Sequence, residues 1–194
     1  YAGLGVYFKG HANATSRLWQ FQPSEAGVAN DGIIEMNPDG GYFRANRGVL
    51  FNTDTAAANI LDDYEEGTWT PVIGGNSESG QSYGSQVGRY TKIGNMVFCH
   101  GHFALTNEGS ISGFLRIKGF PFTVSPTNAG AASFAYSKNI ALTADHVLEG
   151  WVYTTNVIYL YETDFNNEAP SQIGSGSINN TSSLSFSFFF TTTD

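Results

Sequence analysis

Residues 89–106 read RYTKIGNMVFCHGHFALT, and the alternation in this stretch decides the fold class. Val97, Cys99, Gly101, Phe103 and Leu105 recur at every second position, the period of a strand that hides one face. Gly94-Asn95 separates that run from RYTKI, where a two-residue hairpin turn belongs. The pattern continues outward. FLRIKGFPF (114–122) sets Leu115 and Ile117 against Phe114, Arg116 and Lys118, then breaks at Gly119 and Pro121. AGAASFAYS (129–137) and HVLEGWVYTTNVIYLYE (146–162) read as further strands, the latter interrupted near Thr154 to Asn156. SLSFSFFF (183–190) places Leu184, Phe186, Phe188 and Phe190 on one face. No helical period intervenes, so the sequence predicts an all-β protein with a β-sandwich or jelly-roll head.

Composition agrees. The 194 residues include 23 glycines and 14% aromatics but only 13% charged side chains, a mixture poor in helix formers and rich in strand formers. Seventeen acids against nine bases give a net charge of −8, which repels phosphate backbones and argues against nucleic acid as a partner. No apolar run approaches the roughly 20 residues of a membrane-spanning helix, so no membrane insertion is expected. The chain begins at Tyr1 and reads as a fragment of a longer polypeptide. A lone cysteine, Cys99, sits in an apolar strand and reads as a buried, inert thiol.

The first 60 residues differ in kind. GVYFKG, GIIEM and GGYFRANRGVLF are short aromatic strands between Gly, Asn, Asp and Pro turns, with too little apolar sequence for a private core. Such a segment needs partners, and copies wrapped about one axis would bring Phe43, Val49 and Phe51 against their counterparts. The sequence thus predicts an intertwined trimeric β stem over 1–60, an acidic joint over 61–70 and a head over 71–194. In ILDDYEEGTWTP (60–71) the carboxylates Asp62, Asp63, Glu65 and Glu66 fall where composition changes. Acting as an acid/base pair on a glycosidic bond would require one carboxyl in a less polar place, whereas these share one exposed environment. A ring of them about a three-fold axis could take calcium through oxygen ligands. The favoured reading is a structural joint, with Trp69 anchoring the head.

AANILDDYEEGTWTP, followed by GRYTKIGNMV and then GFPF, resembles the C-terminal region of bacteriophage tail-fibre and tailspike proteins, in which LDDYEEGTWTP joins a trimeric stem to a terminal β domain. The resemblance runs from about residue 48 to at least 123, and the ending FSFFFTTTD is of the same type. It implies a homotrimeric, receptor-binding viral protein at the distal end of a tail fibre in the virion, attached to the rest of the phage tail. Such a tip acts outside the host cell, binding a surface glycan or an outer-membrane protein. Residues 1–47 carry no such resemblance.

His100 and His102 are the candidate metal ligands. Residues i and i+2 of a strand point the same way, here opposite Val97, Cys99 and Phe103, and three copies could present an octahedral nitrogen set on an axis. Some long phage tail fibres carry iron on His-x-His pairs of this kind. Surface or interface histidines are the competing reading, and no other cofactor is expected. For recognition, the candidates are Tyr136, Trp151, Tyr153, Phe165, Asn166 and Asn167: aromatic faces and amides of the kind that bind sugars, carried on strand ends and loops. A strand Trp or Tyr can equally be core or subunit contact. Enzymatic activity is not expected, since G-x-S-x-G is absent, His11, His100, His102 and His146 lack a nucleophile context, and no depolymerase-scale repeats are present. GGNSESGQSYG (74–84) reads as a mobile connection. Two alternatives remain, a structural trimerisation or capping module and a surface-polysaccharide depolymerase.

Overall fold

A computed structural model describes residues 19–21, 34–37, 42–45, 48–49, 60–61, 63–126, 130–164, 166 and 169–193. The chain divides into two units, residues 1–63 and 64–194. In the first, strands β1 (Trp19–Phe21), β2 (Ile34–Asn37) and β3 (Tyr42–Ala45) form an antiparallel sheet in that order, with Met36 across from Phe43. Reciprocal backbone bonds of 2.9 Å join Val49 to Leu61. The strands expected in GIIEM and GGYFRAN are present, while GVYFKG and Phe51 lie outside the described residues.

The second unit opens with β4 (Tyr64–Trp69) and β5 (Val72–Gly74). Then come β6 (Ser77–Ser79), β7 (Ser82–Ile93), β8 (Met96–Asn107), β9 (Ser110–Ser112) and β10 (Arg116–Lys118). The rest are β11 (Gly130–Lys138), β12 (His146–Tyr153), β13 (Val157–Asp164), β14 (Ser171–Gln172) and β15 (Ser183–Thr191). The hairpin read from residues 89–106 is β7–β8. Its turn takes positive φ at Gly94 (57°), which an L side chain resists and glycine does not.

The strands expected to build the head lie in one antiparallel sheet of order β4-β7-β8-β15-β11-β12-β13-β10-β5, with β14 beside β13. Its first and last strands are separated in the chain only by Thr70 and Pro71, so the sheet curls round a single interior. Leu184, Phe186, Phe188 and Phe190 of β15 face inward, as do Val97, Cys99, Phe103 and Leu105 of β8 and Ile158 and Leu160 of β13. Withdrawing each large apolar side chain from water contributes about 1.5–3 kcal/mol. Among the described residues no helix is long and apolar enough to cross a membrane.

Trp69 holds the curl together. It is 7% exposed, meets Phe120, Phe186 and Phe188 edge to face with ring centroids 6.1, 6.1 and 5.7 Å away, and its Nε1 donates to the His100 carbonyl at 3.1 Å. Space for the indole comes from a cross-strand glycine pair, Gly88 opposite Gly101. A Cβ at Gly101 would sit 2.7 Å from the Phe186 ring and 3.1 Å from the Trp69 ring. Gly101→Val is therefore expected to lower stability by about 1–3 kcal/mol through overpacking, measurable as a fall in the urea midpoint at unchanged slope.

Residues 74–84 are not the mobile connection that their Gly/Ser composition implied. β6 pairs with β9, and Lys118 Nζ donates to both oxygens of Glu78 (2.6 and 2.7 Å) and to the Gly75 carbonyl (2.9 Å). Ser77 and Ser112 hydroxyls add a bond of 2.8 Å. The Lys118 hydrogen bond holds the Glu78 carboxyl below its ordinary value of 4.5. With the folded value depressed, the contribution to stability is in place above the ordinary glutamate range and disappears as pH falls through the folded value. Unfolding midpoints measured between pH 6 and pH 3 should show this loss in the parent, and Glu78→Gln should flatten it.

Candidate functional site

The inward alternation leaves a second set of side chains on the outer face of the same strands. On β12, Leu148, Gly150 and Val152 turn in, and Val147, Glu149, Trp151 and Tyr153 turn out. On β13, Ile158 and Leu160 turn in, and Tyr159 and Tyr161 turn out. The register sets Trp151 across from Tyr159 and Glu149 across from Tyr161. An outward aromatic cluster results. Trp151 meets Tyr153 at 4.8 Å and Tyr161 at 6.3 Å between ring centroids, Tyr153 meets Tyr159 at 5.7 Å, and the Arg116 guanidinium lies 5.0 Å from the Tyr159 ring centre. Trp151 nevertheless stays 43% exposed.

Beside it is a cavity of about 330 Å³ lined by Glu149, Gly150, Trp151, Tyr161 and Pro170. That lies within the range of small-ligand sites, roughly 300–1,000 Å³. Its polar groups are already oriented. Thr163 Oγ1 donates to Glu149 Oε2 at 2.8 Å, and Gln172 Nε2 donates to the Tyr161 hydroxyl at 3.0 Å. With its oxygen accepting from Gln172, the Tyr161 hydroxyl keeps its own proton for a further acceptor, and the other Glu149 oxygen can take a hydroxyl proton. The arrangement offers an exposed ring face, a carboxylate and a phenol around a small concavity. It is equipped to hold a polyhydroxylated molecule with one apolar face.

The structure thus brings Trp151 and Tyr153 together and surrounds them with Glu149, Tyr159, Tyr161, Pro170 and Gln172, none of which sequence reasoning selected. The signal was available in VIYLYE, where the two tyrosines alternate against Ile158 and Leu160. Tyr136 lies elsewhere, following an irregularity in β11 and opposite Ser185, and is not part of the Trp151 cluster. Asn166 sits in the turn after β13, its backbone N–H bonded to Asp164 Oδ1 at 3.2 Å. Phe165 and Asn167 lie outside the described residues.

His100 and His102 do share the outer face of β8, opposite the buried Val97, Cys99 and Phe103. His102 Nδ1 is in a 2.8 Å hydrogen bond with Ser185 Oγ. Among the described residues of one chain, no group of three or more His, Cys, Asp or Glu is placed to hold a metal. Cys99 is buried, and burial pushes its thiol up to about 12, so it remains protonated and inert at neutral pH. Of the carboxylates in residues 60–71, Glu65 and Glu66 belong to β4, opposite Lys92 and Thr91 of β7, and Asp62 lies outside the described residues.

No protein-family model matches the chain, and no curated protein matches its sequence. Among solved structures the chain is similar to the Dettilon tailspike protein (gp208), with a TM-score of 0.56 and 20% identity over 66% of this chain. It spans 24% of that protein's length. The similarity shows that the chain shares a fold with part of a phage tailspike.

Proposed function

We propose that the chain is a receptor-binding part of a phage tail fibre or tailspike, and that it binds a host surface glycan at the Trp151 platform. The observation that carries this is the platform itself: an indole left 43% exposed although it is braced by two tyrosines, bordering a small cavity with a carboxylate and a phenol already oriented. A bare aromatic face is costly in water, and a sugar's C–H face covers it while its hydroxyls reach Glu149 and Tyr161. The shared tailspike fold and the LDDYEEGTWTP resemblance support the setting in a virion. In a homotrimer, three weak sites on one body gain avidity because the second and third contacts are intramolecular.

On this reading the chain binds and does not cleave. The full chain should adhere saturably to whole cells of a susceptible bacterium, and that cell's purified surface polysaccharide should compete. Release of reducing ends on prolonged incubation would overturn the non-enzymatic part. Competition by outer-membrane protein but not by polysaccharide would overturn the glycan part.

A further inference from the structure

One register row crosses three strands at the platform: Trp151 of β12 lies opposite Tyr159 of β13, and Tyr159 lies opposite Arg116 of β10. Neighbouring strands stand about 4.8 Å apart, so the row sets Arg116 roughly 10 Å from Trp151. Two groups position the guanidinium. It lies over the Tyr159 ring, and its Nη2 donates to Asn76 Oδ1, while the Asn76 backbone N–H is tied to the Ser112 carbonyl at 2.8 Å. What it lacks is a counter-charge. Among the described residues Arg116 joins no ion pair, and its Nε is buried with no hydrogen-bond partner. Glu78, the carboxylate of this corner, gives both oxygens to Lys118 Nζ. Lys118 shares the outer face of β10 with Arg116, since only Ile117 between them is buried. Two cations therefore stand against one carboxylate, a positive corner on a chain whose net charge is −8. An arginine in open water needs no partner, but a cation partly withdrawn from water without one is unfavourable, and an anionic ligand relieves it.

We propose that Arg116 determines the specificity of the platform by taking the carboxylate of an acidic sugar, so that the glycan bound here is a uronic-acid-type polysaccharide with one sugar on Trp151 and a charged neighbour at Arg116. Parallel N–H groups on a guanidinium match the two oxygens of a carboxylate. The Asn76 amide nitrogen, whose oxygen is already used, supplies a further donor. Glu149 lies two residues along β12 from Trp151, whereas Arg116 lies two strands across from it. A carboxylate is repelled by the first and held by the second, which fixes the direction in which the glycan lies. This rests on the glycan reading above and names the class of glycan.

The test uses the full chain and uronate-containing bacterial surface polysaccharides, each in its native form and with its carboxylates reduced to primary alcohols. The parent should bind a native form about tenfold or more tightly than the reduced one, the contribution of a hydrogen bond to a charged group. Arg116→Gln should bind both forms alike, near the parent's affinity for the reduced one. Equal binding of the two forms by the parent would overturn the proposal. So would a parent that binds neutral polysaccharides only, or an Arg116→Gln chain that weakens toward both forms and keeps their ratio, as a purely structural role would give. If the two forms bind alike and Trp151→Ala still abolishes binding, the platform stands without this assignment. If the ratio depends on Arg116 while Trp151→Ala binds like the parent, the platform fails and the carboxylate contact remains. Absence of binding to any polysaccharide overturns both.

Discussion

Trp69→Ala is expected to destabilise the second unit by about 3–5 kcal/mol. The indole is nearly buried and touches three phenylalanines from two regions, Phe120 after β10 and Phe186 and Phe188 on β15. Removing it leaves a cavity that backbone cannot fill, because Gly88 and Gly101 beside it have no side chains to move in. It also removes the indole hydrogen bond to the His100 carbonyl. Trp69→Phe separates the two contributions. It restores much of the buried area and should recover most of the loss, leaving a residual of about 0.5–1.5 kcal/mol for the lost indole hydrogen bond. Urea unfolding followed by circular dichroism reads both. If Trp69→Ala unfolds with the parent's midpoint, the indole does not hold the curl.

The second large effect is on binding. Trp151→Ala should weaken adhesion to polysaccharide by at least tenfold, because aromatic anchors at the centre of a site commonly carry about 2 kcal/mol or more. Multivalency amplifies the loss, since each weakened contact lowers the chance that the next forms. Stability should fall less than in Trp69→Ala, since Trp151 is 43% exposed and Trp69 is 7% exposed. Glu149→Gln and Tyr161→Phe should each cost less than Trp151→Ala, because each removes one polar contact and keeps the stacking face. Trp151 also lies across from Ala131 of β11. If Trp151→Ala instead lowered the assembly mass and left adhesion per assembled particle intact, the indole would be a subunit contact.

The sequence was most legible where alternation is strict. β8 and β15 each show one apolar face at period two, so their buried positions follow from the residues alone. What it concealed was order. β15, the last strand, lies between β8 and β11, where its Phe186 and Phe188 meet Trp69, and no local signal announces that pairing. The short β6 escaped because Ser and Gly read as loop, while its order comes from Lys118, some 40 residues on, through bonds that no local pattern announces. The site was half visible for the same reason. Trp151 and Tyr153 were conspicuous as isolated aromatics, but Glu149, Tyr161 and Gln172 join them only through the β12–β13 and β13–β14 registers.

The most direct measurement is a binding isotherm of the full chain on immobilised surface polysaccharides from a panel of bacteria, with Trp151→Ala run in parallel. The account predicts saturable binding to at least one polysaccharide and its loss, by about tenfold or more, in the variant. Saturable binding that the variant retains in full, or no binding to any polysaccharide by a chain that adheres to living cells, would contradict it.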